Sequence, residues 1–112
     1  MDDEILVMGI CGTHDLDSAN GRILEIILEQ CSNLGAATVV WDHGSKPLPL
    51  VGAEGCWDDP NVKEFQEMAT KADAFILSSP EYHGTMSGVM KNSLDWLYSC
   101  LLYTSDAADD RD

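Results

Sequence analysis

The sequence predicts an α/β domain, a parallel sheet sandwiched between layers of helices. Three observations carry this prediction. Short apolar runs at residues 5–10, 38–41 and 74–77 are continuous rather than alternating, as expected of strands buried on both faces. Stretches with helical spacing of apolar residues separate and follow these runs. The resulting order, β-α-β-α-β-α, favours parallel strands joined by right-handed crossovers, with helices on both sides of the sheet.

Taken in order, Ile5, Leu6, Val7, Met8, Gly9 and Ile10 form the first strand. A polar loop spans residues 11–20. The helix after it places Ile23, Leu24, Ile27, Leu28 and Cys31 on one face. Ser18 or Asn20 is a suitable cap, and Gly35 is a stop after Leu34. Thr38, Val39, Val40 and Trp41 make a second β-rich run. Residues 43–59, with Gly44, Pro47, Pro49, Gly52 and Gly55, read as a long irregular segment of the kind that serves as a lid or partner contact. Asp59 and Pro60 then supply a helix cap and a first-turn proline, and Val62, Phe65, Met68 and Ala69 its apolar side. The third strand lies within residues 72–79. Pro80, which has no N–H to give a ladder, ends it, and Val89, Met90, Leu94 and Leu97 fall at helical spacing in the last helix.

Length and composition bound the function. The 112 residues suffice for one small domain with one core. A formal net charge of −14, with six scattered Lys and Arg, argues against a general nucleic-acid or anionic-membrane binder, because phosphate backbones are held by cations. Cys11, Cys31, Cys56 and Cys100 are widely spaced and form no C-x-x-C, which suits a reduced cytoplasmic protein; they offer no metal-ligand spacing with the histidines. Asp2, Asp3 and Glu4 carry the wrong charge for a secretory leader, and no run approaches a membrane span.

The chain is organised around residues 79–97. An apolar strand runs into Ser79-Pro80-Glu81-Tyr82-His83-Gly84-Thr85, and Gly88-Val89-Met90-Lys91-Asn92-Ser93-Leu94-Asp95-Trp96-Leu97 follows as a helix. A ligand in an open α/β sheet sits at such a strand-to-helix junction, at the carboxyl end of the strands. This stretch closely resembles the flavin loop and following helix of the NADPH-dependent FMN reductase family, which includes quinone, azo-dye and chromate reductases. The resemblance implies a flavodoxin-like three-layer α/β/α fold with strand order 2-1-3 in the part present. The loops at 11–20 and 79–88 then follow adjacent strands.

The same resemblance implies FMN, with NADPH or NADH as reductant. Gly12, Thr13, Ser18 and Asn20 match the family's phosphate loop, and His14 and Ala19 lie within it. A helix N-terminus exposes free N–H groups and a positive dipole end, so it holds phosphate without a cation. Asp15 stands where the family usually has Arg, a carboxylate near the expected phosphate. Pro80, Glu81, Tyr82, His83, Gly84 and Thr85 match the isoalloxazine loop, with backbone donors for the ring and Tyr82 to cover its surface. No catalytic residue is required, because hydride transfer through a flavin asks the protein to bind and orient. Glu81 and His83 are candidates for tuning protonation of a reduced quinone, although loop packing accounts for them more simply. Lys91 and Asp95 form an i, i+4 surface pair.

Three functions are compatible with these residues. The first is an NAD(P)H oxidoreductase passing hydride through FMN to flavin, quinone or a similar small acceptor, in a homodimer or homotetramer. The second is a flavodoxin-type electron carrier. The third is an inactive fragment, since members of the resembled family continue with two more strands and their helices. Trp57, Trp96, Leu97 and Tyr98 are candidates for core packing or a subunit interface. From Cys100 onward the sequence shows no helical or strand pattern continuing the fold and resembles a translated sequencing-library adapter, which sets the domain at residues 1–99 and a non-native tail at 100–112.

Overall fold

A computed structural model describes the backbone of residues 4–104 and the side chains through Tyr98. The elements are β1 (Leu6–Cys11), α1 (Ala19–Asn33), β2 (Ala37–Trp41), α2 (Pro60–Lys71), β3 (Ala74–Ser78), β4 (Glu81–Tyr82), β5 (Thr85–Met86) and α3 (Gly88–Thr104). The three long strands form one parallel sheet in the order β2-β1-β3. The predicted α/β class, layer order and strand order are all present. In register, Gly9 of β1 faces Val40 of β2 and Ile76 of β3, so the central strand is paired on both edges.

Pleating divides β1 between two cores. Met8 and Ile10 point to one face and pack with Trp41, Val62, Phe65, Ala69, Met90, Trp96 and Leu97, which belong to β2, α2 and α3. Val7 and Cys11 point to the other face and pack with Leu24 and Leu28 of α1. Trp41 and Phe65 meet edge to face with ring centroids 5.1 Å apart, joining β2 to α2. Trp96 and Leu97 are thus core residues, whereas Tyr98 is exposed.

Local sequence explains the helix ends. Ser18, the residue before α1, accepts the Gly21 amide on its hydroxyl at 3.1 Å, so of the two candidate caps the serine is the one used. At the other end, Gly35 is left-handed with φ 103°, its amide donates to Ser32, and the Ala36 amide donates back to Cys31, a Schellman close. Asp59 caps α2 by accepting the Asn61 amide at 2.8 Å, with Pro60 in the first turn.

One expectation needs correction. On α1, Leu24 and Leu28 are buried, but Ile23 and Ile27 are 52% and 38% exposed. The stripe buried on the sheet is narrower than the five-residue face read from the sequence. Helix α3 runs to Thr104, and residues 105–112 of the expected tail lie outside the described residues.

The segment at 43–59 is held down rather than free. The Asn92 side chain accepts from the Val51 amide at 3.1 Å and donates to the Pro49 carbonyl at 2.9 Å. Trp96 Nε1 donates to the same carbonyl at 2.7 Å, and Trp57 packs edge to face on Trp96. A short 3-10 turn, Cys56–Asp58, leads into α2. With α3 supplying these anchors, the segment is a clamp on the helix, not a lid.

Candidate functional site

The two unusual loops meet at the carboxyl ends of β1 and β3, as parallel pairing of adjacent strands requires. The contact is closer than the sequence suggested. Gly12 donates its amide to the Ser78 carbonyl at 2.7 Å, and its own carbonyl accepts from the Ser87 hydroxyl at 2.7 Å. A Cβ at this position would lie 2.7 Å from Ser87 Oγ and 2.8 Å from Ser79 Oγ. The glycine is therefore required by the packing of one loop on the other. Its amide is taken up there, and the close backbone approach that glycine permits is used by the second loop.

Serines knit the junction. Ser87, buried, precedes α3 and accepts the Met90 amide at 3.1 Å while donating to Gly12. Ser79 accepts the Ser87 amide at 3.0 Å. Ser78 donates to the Asn20 carbonyl and side-chain oxygen at 2.9 and 3.1 Å, pinning the first turn of α1 to the end of β3. These three serines were not singled out from the sequence. A serine just before a helix is a capping signal, so Ser87 was legible; Ser78 and Ser79 acquire their roles only through partners distant in the chain.

The loop after β1 is prefolded. Thr13 donates its hydroxyl to the Asp15 carbonyl at 2.9 Å and lies 3.2 Å from the Ser18 hydroxyl. Asp15, the residue that departs from the resembled pattern, accepts the Asp17 amide on its carboxylate at 2.8 Å. Its side chain builds the turn. Leu16 presses on the start of α1 so closely that a Cβ on Gly21 would lie 2.0 Å from the Leu16 carbonyl oxygen. With Gly21 capped by Ser18, the amides of Ala19 and Asn20 at the positive end of α1 have no protein partner among the described hydrogen bonds. Two unpaired donors at a helix N-terminus suit an anion.

Residues 81–86 form a hairpin in which Tyr82 pairs with Thr85 and Glu81 with Met86. His83 at φ 54° and Gly84 at φ 79° are the two central residues of its turn, both left-handed, as a type I′ turn demands. Glycine adopts this freely, and histidine pays some strain for it. The hairpin projects Tyr82 into solvent at 58% exposure, leaving its ring face available. Among the described residues, no group of three metal-ligating side chains occurs.

Beside the loop after β1 lies a pair of histidines that sequence reading did not join. His43 follows β2, is buried, and meets the ring of His14 at a centroid distance of 5.6 Å. Burial, and then the neighbouring His14, push the His43 pKa down to about 4, with Asp42 opposing weakly. An open groove of about 670 Å³ starts at Leu16 and Asp17 and runs between α1 and β2 over Leu24, Leu28 and Val40. It contains none of the hairpin residues and is separate from the junction.

Two loops at the carboxyl ends of adjacent parallel strands, one opening a helix and one a hairpin, define a flavodoxin-like α/β unit. The chain belongs to the NADPH-dependent FMN reductase family, whose model matches residues 5–109. It is 36% identical over 94 residues to a probable NADPH:quinone oxidoreductase 2 of Oryza sativa subsp. japonica, covering 80% of this chain and 46% of that protein. It is 32% identical over 96 residues to an NAD(P)H-dependent FMN reductase of Pseudomonas aeruginosa, covering 86% and 51%. Against an FMN-dependent NADPH-azoreductase of Staphylococcus aureus it is 30% identical over 93 residues, covering 79% and 50%. The chain thus spans about half the length of the curated relatives it matches.

Proposed function

We propose that this chain carries the flavin-binding part of an FMN-dependent NAD(P)H oxidoreductase that reduces flavin, quinone or a similar small acceptor. The observation that carries the reading is the serine-and-glycine junction, which fixes an anion-seeking helix start and a projecting hairpin side by side. In this reading the Ala19 and Asn20 amides, with Thr13, His14 and Ser18 around them, receive the FMN phosphate. Pro80, Glu81, Tyr82, His83, Gly84 and Thr85 line the isoalloxazine ring, with the Tyr82 face against it. Gly12 contributes by holding the two loops together. Bound FMN would accept hydride from NADPH or NADH and pass reducing equivalents to the acceptor. The protein's part is to orient the ring, exclude water from one side and offer backbone donors where charge develops.

Three features support the other parts of the proposal. A reduced, cytoplasmic setting is supported by Cys11, Cys31 and Cys56, which are free thiols. No helix among the described residues is long and apolar enough to cross a membrane. A homodimer or homotetramer is supported by the exposed Leu50, Trp57 and Tyr98 around the clamp on α3. The test is titration of FMN fluorescence by the chain, followed by FMN-dependent NADPH oxidation with a quinone present. Saturable binding with turnover is the expected result for a protein of the relatives' full length. Binding without NADPH oxidation in that longer protein would favour the electron carrier, and no FMN binding would overturn the reading.

A further inference from the structure

The pair His14 and His43 joins the loop after β1, the turn after β2 and, through Ser93, helix α3. Ser93, buried in α3, donates its one proton to the Val89 carbonyl at 2.8 Å. Its contact with His43 Nε2 at 3.1 Å is then met with the serine as acceptor and the imidazole as donor, the roles of the Nε2–H tautomer. The turn that carries His43 is itself rigid: Asp42 accepts the Gly44 amide on its side chain at 2.9 Å and the Lys46 amide on its carbonyl at 2.9 Å. Trp41 Nε1 closes the same turn on the Lys46 carbonyl at 3.1 Å.

From this anchored turn, contact passes to the loop after β1 in two places. The His43 ring meets the His14 ring at 64°, and the backbone at Gly44 is so near that an added Cβ would lie 2.8 Å from the His14 carbonyl oxygen. At its start the loop is tied to α3 by Gly12, which accepts from Ser87, and the bonds from Thr13 to Asp15 and Ser18 and from Asp17 to Asp15 are internal. Past Gly12 the internal bonds give the loop a shape, and the His43 turn adds a second tie toward α3.

We propose that His43 is a positioning residue for anion binding by the loop after β1: held by Ser93, it sets the placement of His14 and hence of the donors that receive the phosphate of a flavin mononucleotide. The inference rests on the flavin reading above and extends it to a residue outside both loops. The depressed pKa of His43 is consistent with a neutral ring in this role.

The experiment compares FMN with riboflavin, which has the same ring and no phosphate, in fluorescence titrations of the parent chain, His43→Gln and His43→Leu. Glutamine keeps an N–H for Ser93, and leucine fills space without one. The expected result is that His43→Leu weakens FMN about tenfold, the equivalent of one buried hydrogen bond, with riboflavin unchanged and His43→Gln close to parent. An unchanged FMN-to-riboflavin ratio in His43→Leu overturns the proposal while leaving the flavin reading intact. Binding of neither flavin by the parent overturns both. Should His43→Leu fail to fold, nitrogen NMR on the parent decides: protonated Nε2 is expected, and protonated Nδ1 overturns the proposal.

Discussion

Replacing Gly12 by alanine tests the junction on which the site depends. The added methyl would sit 2.7 Å from Ser87 Oγ, 2.8 Å from Ser79 Oγ and 3.0 Å from Ser79 Cα. Neither hydroxyl is free to swing away. Ser87 Oγ is held by the Gly12 carbonyl and the Met90 amide, and Ser79 Oγ by the Pro80 carbonyl and the Ser87 amide. The third atom is backbone. Relief therefore requires the loops to separate, which stretches the two 2.7 Å bonds from Gly12 to Ser78 and from Ser87 to Gly12. Loss of one or two buried hydrogen bonds costs about 1–3 kcal/mol. Residual overpacking adds about 1–2 kcal/mol. The sum, about 2–5 kcal/mol, is a large share of the ~5–15 kcal/mol that holds a domain folded. Urea denaturation followed by circular dichroism measures it, with a midpoint shift of at least about 1 M expected. Gly88→Ala is the control. A Cβ there meets nothing within 4 Å and the position begins α3, so alanine should be neutral or stabilising. A Gly12→Ala chain whose midpoint matches the parent would refute the reasoning.

Three further outcomes are expected. Because the folded-state pKa of His43 lies near 4, below the unfolded value of 6.5, the unfolded chain binds more protons between these values. Stability should thus fall by about 3 kcal/mol from this group as pH drops from 6.5 to 4, and no further below; the groups acting on it are His14 and Asp42, with neutral Ser93 on α3. His43→Gln should flatten that part of the profile in urea melts, and equal pH slopes would count against it. Asp15→Asn keeps the oxygen that accepts the Asp17 amide and removes a negative charge near the proposed phosphate seat, so FMN affinity should rise about three- to tenfold at low salt and less at high salt; a fall would contradict the assignment. Asn92→Ala removes both side-chain bonds to the clamp segment and should cost about 1–2 kcal/mol, with faster hydrogen exchange at Val51 as the local readout.

The sequence alone determined what depends on neighbours in the chain. Continuous apolar runs marked the three strands, Asp59 and Pro60 the start of α2, and Gly35 the end of α1, since period, cap and left-handed turn are local properties. That the loops at 11–20 and 79–88 meet was legible too, because loops after adjacent parallel strands share an edge. Only the tertiary structure decided how those loops meet. It gave Gly12 a packing requirement, gave Asp15 a turn to build, folded residues 81–86 into a hairpin and set His43 against His14 and Ser93. It also left Ile23 and Ile27 outside the core that helical spacing alone had assigned them. The physical reason is common to all of these. A hydrogen bond or close contact between residues dozens of positions apart leaves no periodic trace in the sequence, and its energy exists only once the sheet has brought the two segments together.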